Sequence, residues 1–168
     1  MDSAANVDTG IRVESGAVFN AYGATKTTLQ TLLNTDEAAA ATVIGVASTT
    51  DWAVSDELAF APTTRTFSQG EKKTILTVDS GVQVTLTAGL TNAHSGTSPT
   101  QAEVGNLTRN VKLRGISGTL QGFLWVGPTA TVTIRYTEFT LLGSATANKR
   151  GIDVQVTTGT FDMQFSSV

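Results

Sequence analysis

The stretch 111–168, VKLRGISGTLQGFLWVGPTATVTIRYTEFTLLGSATANKRGIDVQVTTGTFDMQFSSV, decides the fold. Apolar residues alternate with polar ones in short segments that recur at an interval of about 20 residues. These segments are the pairs Val111 and Leu113, Val132 and Ile134, and Ile152 and Val154. A second apolar cluster follows each pair, and its members Leu120, Leu141 and Met163 recur at nearly the same interval. Such a period is typical of stacked coils that share one core, although an antiparallel sandwich has similar strand spacing.

Glycines separate these apolar clusters, and we expect them at the corners of the coils, where the chain must turn. They are Gly115, Gly118, Gly122, Gly127, Gly143, Gly151 and Gly159.

The composition favours strands over helices. Of 168 residues, 30 are threonine and 16 are glycine, whereas only 15% are charged. Threonine is β-branched and suits a pleated, half-exposed surface. The net charge of −3 offers no basic face for nucleic acid. The chain has no cysteine, which excludes disulfide and thiolate–metal frameworks. No apolar run is long enough to insert into a membrane.

Residues 74–87 predict a β-hairpin in the first half of the chain. Val82, Val84 and Leu86 alternate with polar residues, which indicates one buried and one solvated face. Asp79-Ser80-Gly81 supplies the turn.

Several segments resemble the eight-glycine domain, which fibrocystin, the cell-surface hyaluronidases and many bacterial and viral surface proteins share. Residues 52–58 (WAVSDEL) resemble the family step W-x-V-G-D-E-I, and residues 69–75 (QGEKKTI) resemble Q-x-E-x-x-T-I. Residues 90–96 (LTNAHSG) and 102–111 (AEVGNLTRNV) resemble L-x-Y-x-H-x-G and A-E-V-G-x-L-T-R-N-I. Residues 17–23 (AVFNAYG) resemble G-x-L-D-L-H-G.

The resemblance implies an all-β chain with two parts. Residues 1–101 would be the β-rich end of an eight-glycine-type module, and residues 102–168 would be about three coils of a right-handed parallel β-helix. The residues that match the family motifs would have structural roles. They are Trp52, Asp56, Glu71, His94, Glu103, Arg109 and Asn110. Where the family has histidines on the first rung of the helix, this chain has Asp153 and Gln155, which puts hyaluronan cleavage in doubt.

Some residue types suggest catalytic or ligand-binding sites, although each of these residues would also suit a structural role. Glu138 and Asp153 are candidates for an acid–base pair that cleaves glycans, provided that they lie about 5–10 Å apart. An exposed Trp125 and Tyr136 would be able to stack on sugar rings, although such aromatics also pack into cores. Glu103 and Arg109 would form a buried ion pair or a ligand clamp.

Metal and cofactor chemistry have little support in the sequence. The acidic residues Asp51, Asp56 and Glu57 lack the spacing of a calcium loop. His94 is the single histidine, and we expect it to be a structural hydrogen-bonding group because no second histidine or cysteine accompanies it. We therefore expect neither a metal nor a cofactor.

The sequence favours a non-enzymatic structural or adhesive β-helical module of a virion or a microbial surface, hence an extracellular or virion-surface location. The apolar last segment, 161–168, lacks a polar capping coil. We therefore expect self-association, other structural proteins or further residues of the same gene product to cover this solenoid end. A glycan depolymerase or hyaluronidase-like fragment is the alternative, and a carbohydrate-binding module for surface glycans is the second.

Overall fold

The computed structural model describes residues 10–117, 119–143 and 149–168. The expected corner glycine Gly118 lies outside them. The described residues form two compact units: unit 1 contains those of Met1–Ala24 and Arg109–Val168, and unit 2 is Thr25–Thr108.

The chain is all-β, and no α-helix occurs among the described residues. None of their helical turns is long and apolar enough to cross a bilayer. The strands are β1 (Gly10–Val13), β2 (Val18–Tyr22), β3 (Gln30–Leu32), β4 (Val43–Gly45), β5 (Glu57–Phe60), β6 (Glu71–Ser80), β7 (Gln83–Leu86), β8 (Glu103–Asn106), β9 (Val111–Arg114), β10 (Phe123–Val126), β11 (Thr131–Arg135), β12 (Thr137–Thr140), β13 (Ile152–Val154) and β14 (Thr160–Gln164). Among the described residues, one 3-10 turn spans Phe67–Gln69.

Unit 1 consists of three parallel sheets. The first has the strand order β1-β10-β13, and the second has the order β2-β11-β14. The third pairs β9 with β12, and a parallel bridge joins Glu138 of β12 to Ser167. The parallel arrangement agrees with the expectation of a β-helix relationship and differs from an antiparallel sandwich.

The separation between register partners shows how unit 1 repeats. Along β11 and β14, each partner lies 29 residues further along the chain, and the hydrogen-bonded residues Thr137 and Ser166 have the same separation. Val18 pairs with Thr131, although unit 2 lies between them in the sequence. When Thr25–Thr108 is left out of the count, this pair has the same separation as the partners on β11 and β14. The β9–β12 and β10–β13 separations are slightly shorter. The expected interval of about 20 residues is therefore wrong.

The physical reason is that the recurring apolar pairs belong to different sheets. Val111 lies on β9, Val132 on β11 and Ile152 on β13. The interval of about 20 residues is the distance along the chain from a strand of one sheet to a strand of another. Each repeat contributes strands to several sheets, and these strands share the same alternation of apolar and polar residues.

Alternation explains the core of unit 1. In β11, Val132 and Ile134 are fully buried between half-exposed neighbours, as period-2 patterning requires. Together with residues from the other strands they form one apolar cluster. It comprises Val13, Ala21, Leu124, Val126, Ala130, Val132, Ile134 and Phe139.

Unit 2 is a six-stranded sheet whose strand order is β3-β8-β5-β6-β7-β4, with antiparallel pairing throughout. The hairpin expected at 74–87 corresponds to β6 and β7. Its buried side chains Ile75, Val84 and Leu86 belong to an apolar core of unit 2. Val82, which the alternation placed on the same buried face, is 49% exposed because it lies in the turn before β7.

The division into units differs from the expected boundary between residues 101 and 102. Strand β8, beyond that boundary, pairs antiparallel with β3 and β5 in unit 2. Strands β1 and β2, before it, pair parallel with β10 and β11 in unit 1. Strand pairing therefore determines which segments belong to each unit. It joins segments of unit 1 that unit 2 separates in the sequence.

Candidate functional site

The carboxylate of Glu138 is committed to local contacts. Glu138 lies on β12 in register with Lys112 of β9, and the Lys112 Nζ is 3.0 Å from Glu138 Oε2. The backbone N–H of Arg109 donates to the same oxygen at 3.1 Å. These contacts fix the position of the carboxylate at the start of β9.

Asp153, the other half of the expected acid–base pair, lies on β13 in register with Trp125. Its sheet, β1-β10-β13, is not the sheet that contains Glu138. An active site built from neighbouring rungs would place the two carboxylates side by side on one sheet face. Glu138 and Asp153 are not arranged in this way.

Trp125 is buried, so the expectation of an exposed stacking platform is wrong at this position. Its exposed fraction is 8%, and all four residues of β10 are buried. The Arg12 guanidinium carbon lies 4.2 Å from the centre of the indole ring, a cation–π contact. Arg12 is itself oriented by its Nε, which donates to Glu14 at 3.0 Å.

Tyr136 stacks on another side chain of the protein. Its ring centre is 5.1 Å from that of Phe165, and the ring planes differ by 19°. Both residues have positive φ angles, 49° and 55°, and they lie one repeat apart, directly after β11 and β14. The pair is thus a ladder of equivalent corner residues, and Phe165 is its exposed member.

The expected structural residues Trp52 and Asp56 lie in the interior of unit 2. Trp52 Nε1 donates to the Thr28 carbonyl at 2.8 Å. Asp56 Oδ2 is 2.7 Å from Lys26 Nζ and accepts a hydrogen bond from Asn106 Nδ2 at 2.7 Å. Asn106 is buried in this network.

Glu71 is the centre of a second polar cluster. Its carboxylate accepts the backbone N–H groups of Thr91 and Asn92 at 2.7 and 2.9 Å, and Lys73 Nζ lies 2.9 Å away. Burial opposes ionisation, but these hydrogen bonds, with one from His94, outweigh it and lower the pKa of Glu71 to about 2.

Glu103, Arg109 and Asn110, in the segment 102–111 that resembles the eight-glycine domain, differ in burial and in their contacts. Glu103 is exposed on β8, so the buried carboxylate expected for an ion pair with Arg109 is not present. Arg109 is buried, and its Nε donates to the Phe165 carbonyl at 3.0 Å. Asn110 Oδ1 accepts the Ala24 N–H at 2.7 Å, where the chain leaves unit 1.

The acidic residues near position 51 are engaged in other contacts. Asp51 Oδ2 accepts the Thr27 N–H at 2.9 Å, and hydrogen bonds from Thr27 lower the pKa of Asp51. Glu57 pairs with Lys72 at 2.8 Å. Among the described ranges, no group of three or more His, Cys, Asp or Glu side chains is arranged to hold a metal ion.

Sequence reasoning missed the outward face of the β2-β11-β14 sheet. Tyr22, 62% exposed, lies in register with Arg135 of β11 and Gln164 of β14. The next outward row contains Asn20 and Asp162, and hydrogen bonds from Arg135 and Gln164 lower the pKa of Asp162. The outward alternation of Val18, Asn20 and Tyr22 was the available signal.

The second feature is a pair of strand edges that we call the open edge. Within the described part of unit 1, β13 pairs only with β10, and β14 pairs only with β11. Val154 of β13 and Phe165 after β14 are 40% and 49% exposed. Unpaired edges with apolar side chains are templates for further β-pairing.

No protein-family model matches the chain, and no curated protein matches it, so membership of the eight-glycine family stays a prediction. Among solved structures, the chain is similar to tailspike gp61 of Pseudomonas phage phi297 (13% identity, TM-score 0.38, 78% of this chain and 23% of that one). It is also similar to tailspike gp49 of Pseudomonas phage LKA1 (17%, 0.40, 88% and 29%).

A third similar structure is the gp54 tailspike of Acinetobacter baumannii bacteriophage AP22, solved in complex with A. baumannii capsular saccharide (14% identity, TM-score 0.40, 86% and 27%). The chain spans less than a third of each tailspike. At this level of similarity, the comparison does not assign the chain to a family.

Proposed function

We propose that the chain is a non-enzymatic structural module of a virion surface or a microbial surface assembly, built on a parallel β-helix of about three coils. The first coil contains β1, β2 and β9, the second β10 to β12, and the third β13, β14 and Ser167. Unit 2 is an insertion in the first coil. The observation that carries this proposal is the nearly constant separation of parallel register partners once unit 2 is left out.

The proposed absence of catalysis is supported by the way the candidate groups are used. Glu138 is held by Lys112 and the Arg109 backbone, and Asp153 lies in another sheet. Most glycoside hydrolases use two carboxyl groups that flank one sugar linkage. Incubation with capsular and extracellular polysaccharides should therefore release no reducing ends.

The open edge supports a role in assembly, because stacked coils offer backbone hydrogen bonds and apolar contacts to further β-structure. Sedimentation equilibrium should show that the chain self-associates. Lysine at the two exposed apolar positions, Val154→Lys with Phe165→Lys, should lower the association constant at least tenfold by introducing charge at the edge.

The matched control is Val82→Lys, because Val82 is also 49% exposed but lies at the β6–β7 turn of unit 2. It should leave association unchanged. A wild-type chain that remains monomeric at all concentrations, or a control that weakens association equally, would count against the assembly role of the open edge.

Glycan binding is the second candidate function, and the outward row of Tyr22, Arg135 and Gln164 favours it, in which Tyr22 and Gln164 are exposed and Arg135 is half-buried. An exposed aromatic ring beside planar polar groups suits the apolar face and the hydroxyl groups of a pyranose. On a glycan array, binding should be lost with Tyr22→Ala and kept with Tyr22→Trp. Binding that survives Tyr22→Ala would exclude this face.

A further inference from the structure

A lysine, an aspartate and an asparagine meet around one oxygen atom in unit 2. Lys26 Nζ and Asn106 Nδ2 each lie 2.7 Å from Asp56 Oδ2. The two nitrogen atoms are therefore separated by no more than twice that distance. Asp56 and Asn106 are buried, and the Lys26 side chain is 13% exposed. An amine, a carboxylate and a carboxamide are thus held together with little access for water.

Further hydrogen bonds fix the orientation of the amine and the carboxamide. Lys26 Nζ also donates to the Asp51 carbonyl at 3.0 Å. Asn106 Oδ1 accepts the backbone N–H of Thr108 at 3.0 Å. This second bond polarises the side-chain carbonyl of Asn106, and it would stabilise negative charge that develops on the oxygen.

We propose that Lys26 and Asn106 become joined by an intramolecular amide bond between their side chains, and that Asp56 carries protons between them. A lysine amine is a nucleophile, and a carboxylate at hydrogen-bonding distance is the base that activates it. The reaction exchanges one amide for another, so it needs no oxidant or energy source, and fixed proximity accelerates it. The proposal goes beyond the structural role above, because it changes the covalent structure of unit 2.

The reaction is balanced within these side chains. The Lys26 ammonium gives a proton to Asp56, and the freed lone pair of Nζ forms a bond to Cγ of Asn106. The π electron pair of the carbonyl moves to Oδ1, where the Thr108 N–H stabilises it. Asp56 then protonates Nδ2 and takes a second proton from Nζ, and the Cγ–Nδ2 bond breaks as the carbonyl re-forms. Ammonia leaves, and it accepts the remaining proton of Asp56 as it becomes ammonium.

Asp56 is the other conceivable partner for the Lys26 amine, but its contacts favour the role of proton carrier. An amide between Lys26 and Asp56 would release water, and the departing oxygen would need an acid beside it. The carboxylate of Asp56 accepts hydrogen bonds from Lys26, the Ala53 N–H and the Asn106 carboxamide. A backbone N–H and a carboxamide do not supply that proton. The carboxamide of Asn106, in contrast, has Asp56 beside its leaving nitrogen.

The proposed bond would connect the two ends of unit 2. Unit 2 is Thr25–Thr108, so Lys26 follows its first residue and Asn106 lies two residues before its last. A pulling force applied through the ends of unit 2 would pass through the amide bond instead of the strands between them. In a surface assembly, unit 2 would then stay folded under force.

Mass spectrometry of the denatured full-length chain tests the bond directly. We expect the wild-type mass to be lower than that of its sequence by one molecule of ammonia. Trypsin cuts after lysine and arginine, but not after a lysine whose amine is acylated. Residues 13–65 should therefore appear joined to residues 74–109, because Lys26 escapes cleavage. A full wild-type mass, loss of water instead of ammonia, or loss of ammonia without joined peptides would overturn the proposal.

Two lysine variants separate this reaction from the general effect of a buried charge. Lys26→Arg keeps a cation beside Asp56 but removes the amine, so its mass should equal that of its sequence. Lys73→Arg is the matched control, because the Lys73 side chain is also 13% exposed and Nζ lies 2.9 Å from Glu71. This control should lose ammonia and give joined peptides as the wild type does. Ammonia loss in Lys26→Arg, or a full mass in Lys73→Arg, would contradict the assignment.

The role of Asp56 has its own test. Asp56→Asn keeps the size and shape of the side chain but removes the carboxylate that carries protons. We expect this variant to retain its full mass and to give separate peptides after trypsin. Joined peptides from Asp56→Asn would refute the role of Asp56.

Discussion

At the scale of single residues, the interior charges of unit 2 are sensitive to the loss of one partner. Asp56 satisfies Lys26, the Ala53 N–H and Asn106 together, and the side chains of the ion pair are 7% and 13% exposed. A buried pair adds little net stability, but removing one partner leaves an uncompensated charge. Asp56 therefore matters chiefly as the partner that Lys26 requires.

We predict that Asp56→Ala lowers the free energy of unfolding by about 3 kcal/mol, because Lys26 and Asn106 lose their shared acceptor. Urea denaturation measures this change. The matched control is Glu57→Ala, which breaks an exposed pair with Lys72 and should cost less than about 1 kcal/mol. Equal costs for the two variants would contradict the proposed network.

The lowered pKa of Glu71 gives a second prediction, in acid. Its stabilising contribution is complete above the ordinary glutamate pKa of 4.5 and is lost as the pH falls towards about 2. The loss should approach about 3 kcal/mol, since one pKa unit corresponds to about 1.4 kcal/mol.

The measurement compares urea unfolding of the wild type and Glu71→Gln between about pH 6 and pH 2. The variant is expected to be less stable near pH 6, and its stability should fall less steeply in acid. Parallel loss of stability in the two proteins would show that Glu71 does not carry this dependence.

At the scale of secondary-structure elements, the corners between strands limit what the chain tolerates. Gly23 follows β2, and a Cβ atom there would collide with the Tyr136 carbonyl oxygen and lie 2.9 Å from Asn110 Oδ1. We predict that Gly23→Ala costs about 1–3 kcal/mol in unfolding free energy, as overpacking does.

Gly81, at the turn between β6 and β7, is the control for that substitution, because a Cβ there meets nothing within 4 Å. Gly81→Ala should change stability by less than about 0.5 kcal/mol. If denaturation showed the same cost at both glycines, close approach at the corner after β2 would not be the cause.

The sequence predicted a secondary-structure element well where neighbouring residues alone determine it. Val84 and Leu86 are buried on β7 as their alternation predicted, and the hairpin of β6 and β7 forms around the predicted turn, in which Val82 is exposed. Exposure was harder to predict, because it depends on the neighbours of each side chain. The Arg12 guanidinium covers the Trp125 ring, and the Phe165 ring stacks on Tyr136. Both covering residues are distant in sequence from the aromatic residue that they contact.

At the scale of the whole molecule, the period could not be read correctly from the sequence. Apolar pairs on β9, β11 and β13 resemble one another, although they belong to three sheets. The first partners of β10 and β11 are β1 and β2, which precede unit 2 in the chain. The repeats within 111–168 therefore lack the first strands of two sheets.

The register that joins β2 to β11, although unit 2 lies between them in the sequence, defines the proposed β-helix, and a disulfide measurement tests it directly. The chain has no cysteine, and Asn20 and Thr133 are register partners. Neighbouring strands lie about 4.8 Å apart, within the span of a disulfide. We predict that N20C/T133C oxidises to an intramolecular disulfide, as detected by mass spectrometry, whereas K112C/T133C, placed at the interval between the recurring apolar pairs, does not. A disulfide in K112C/T133C and none in N20C/T133C would contradict the account.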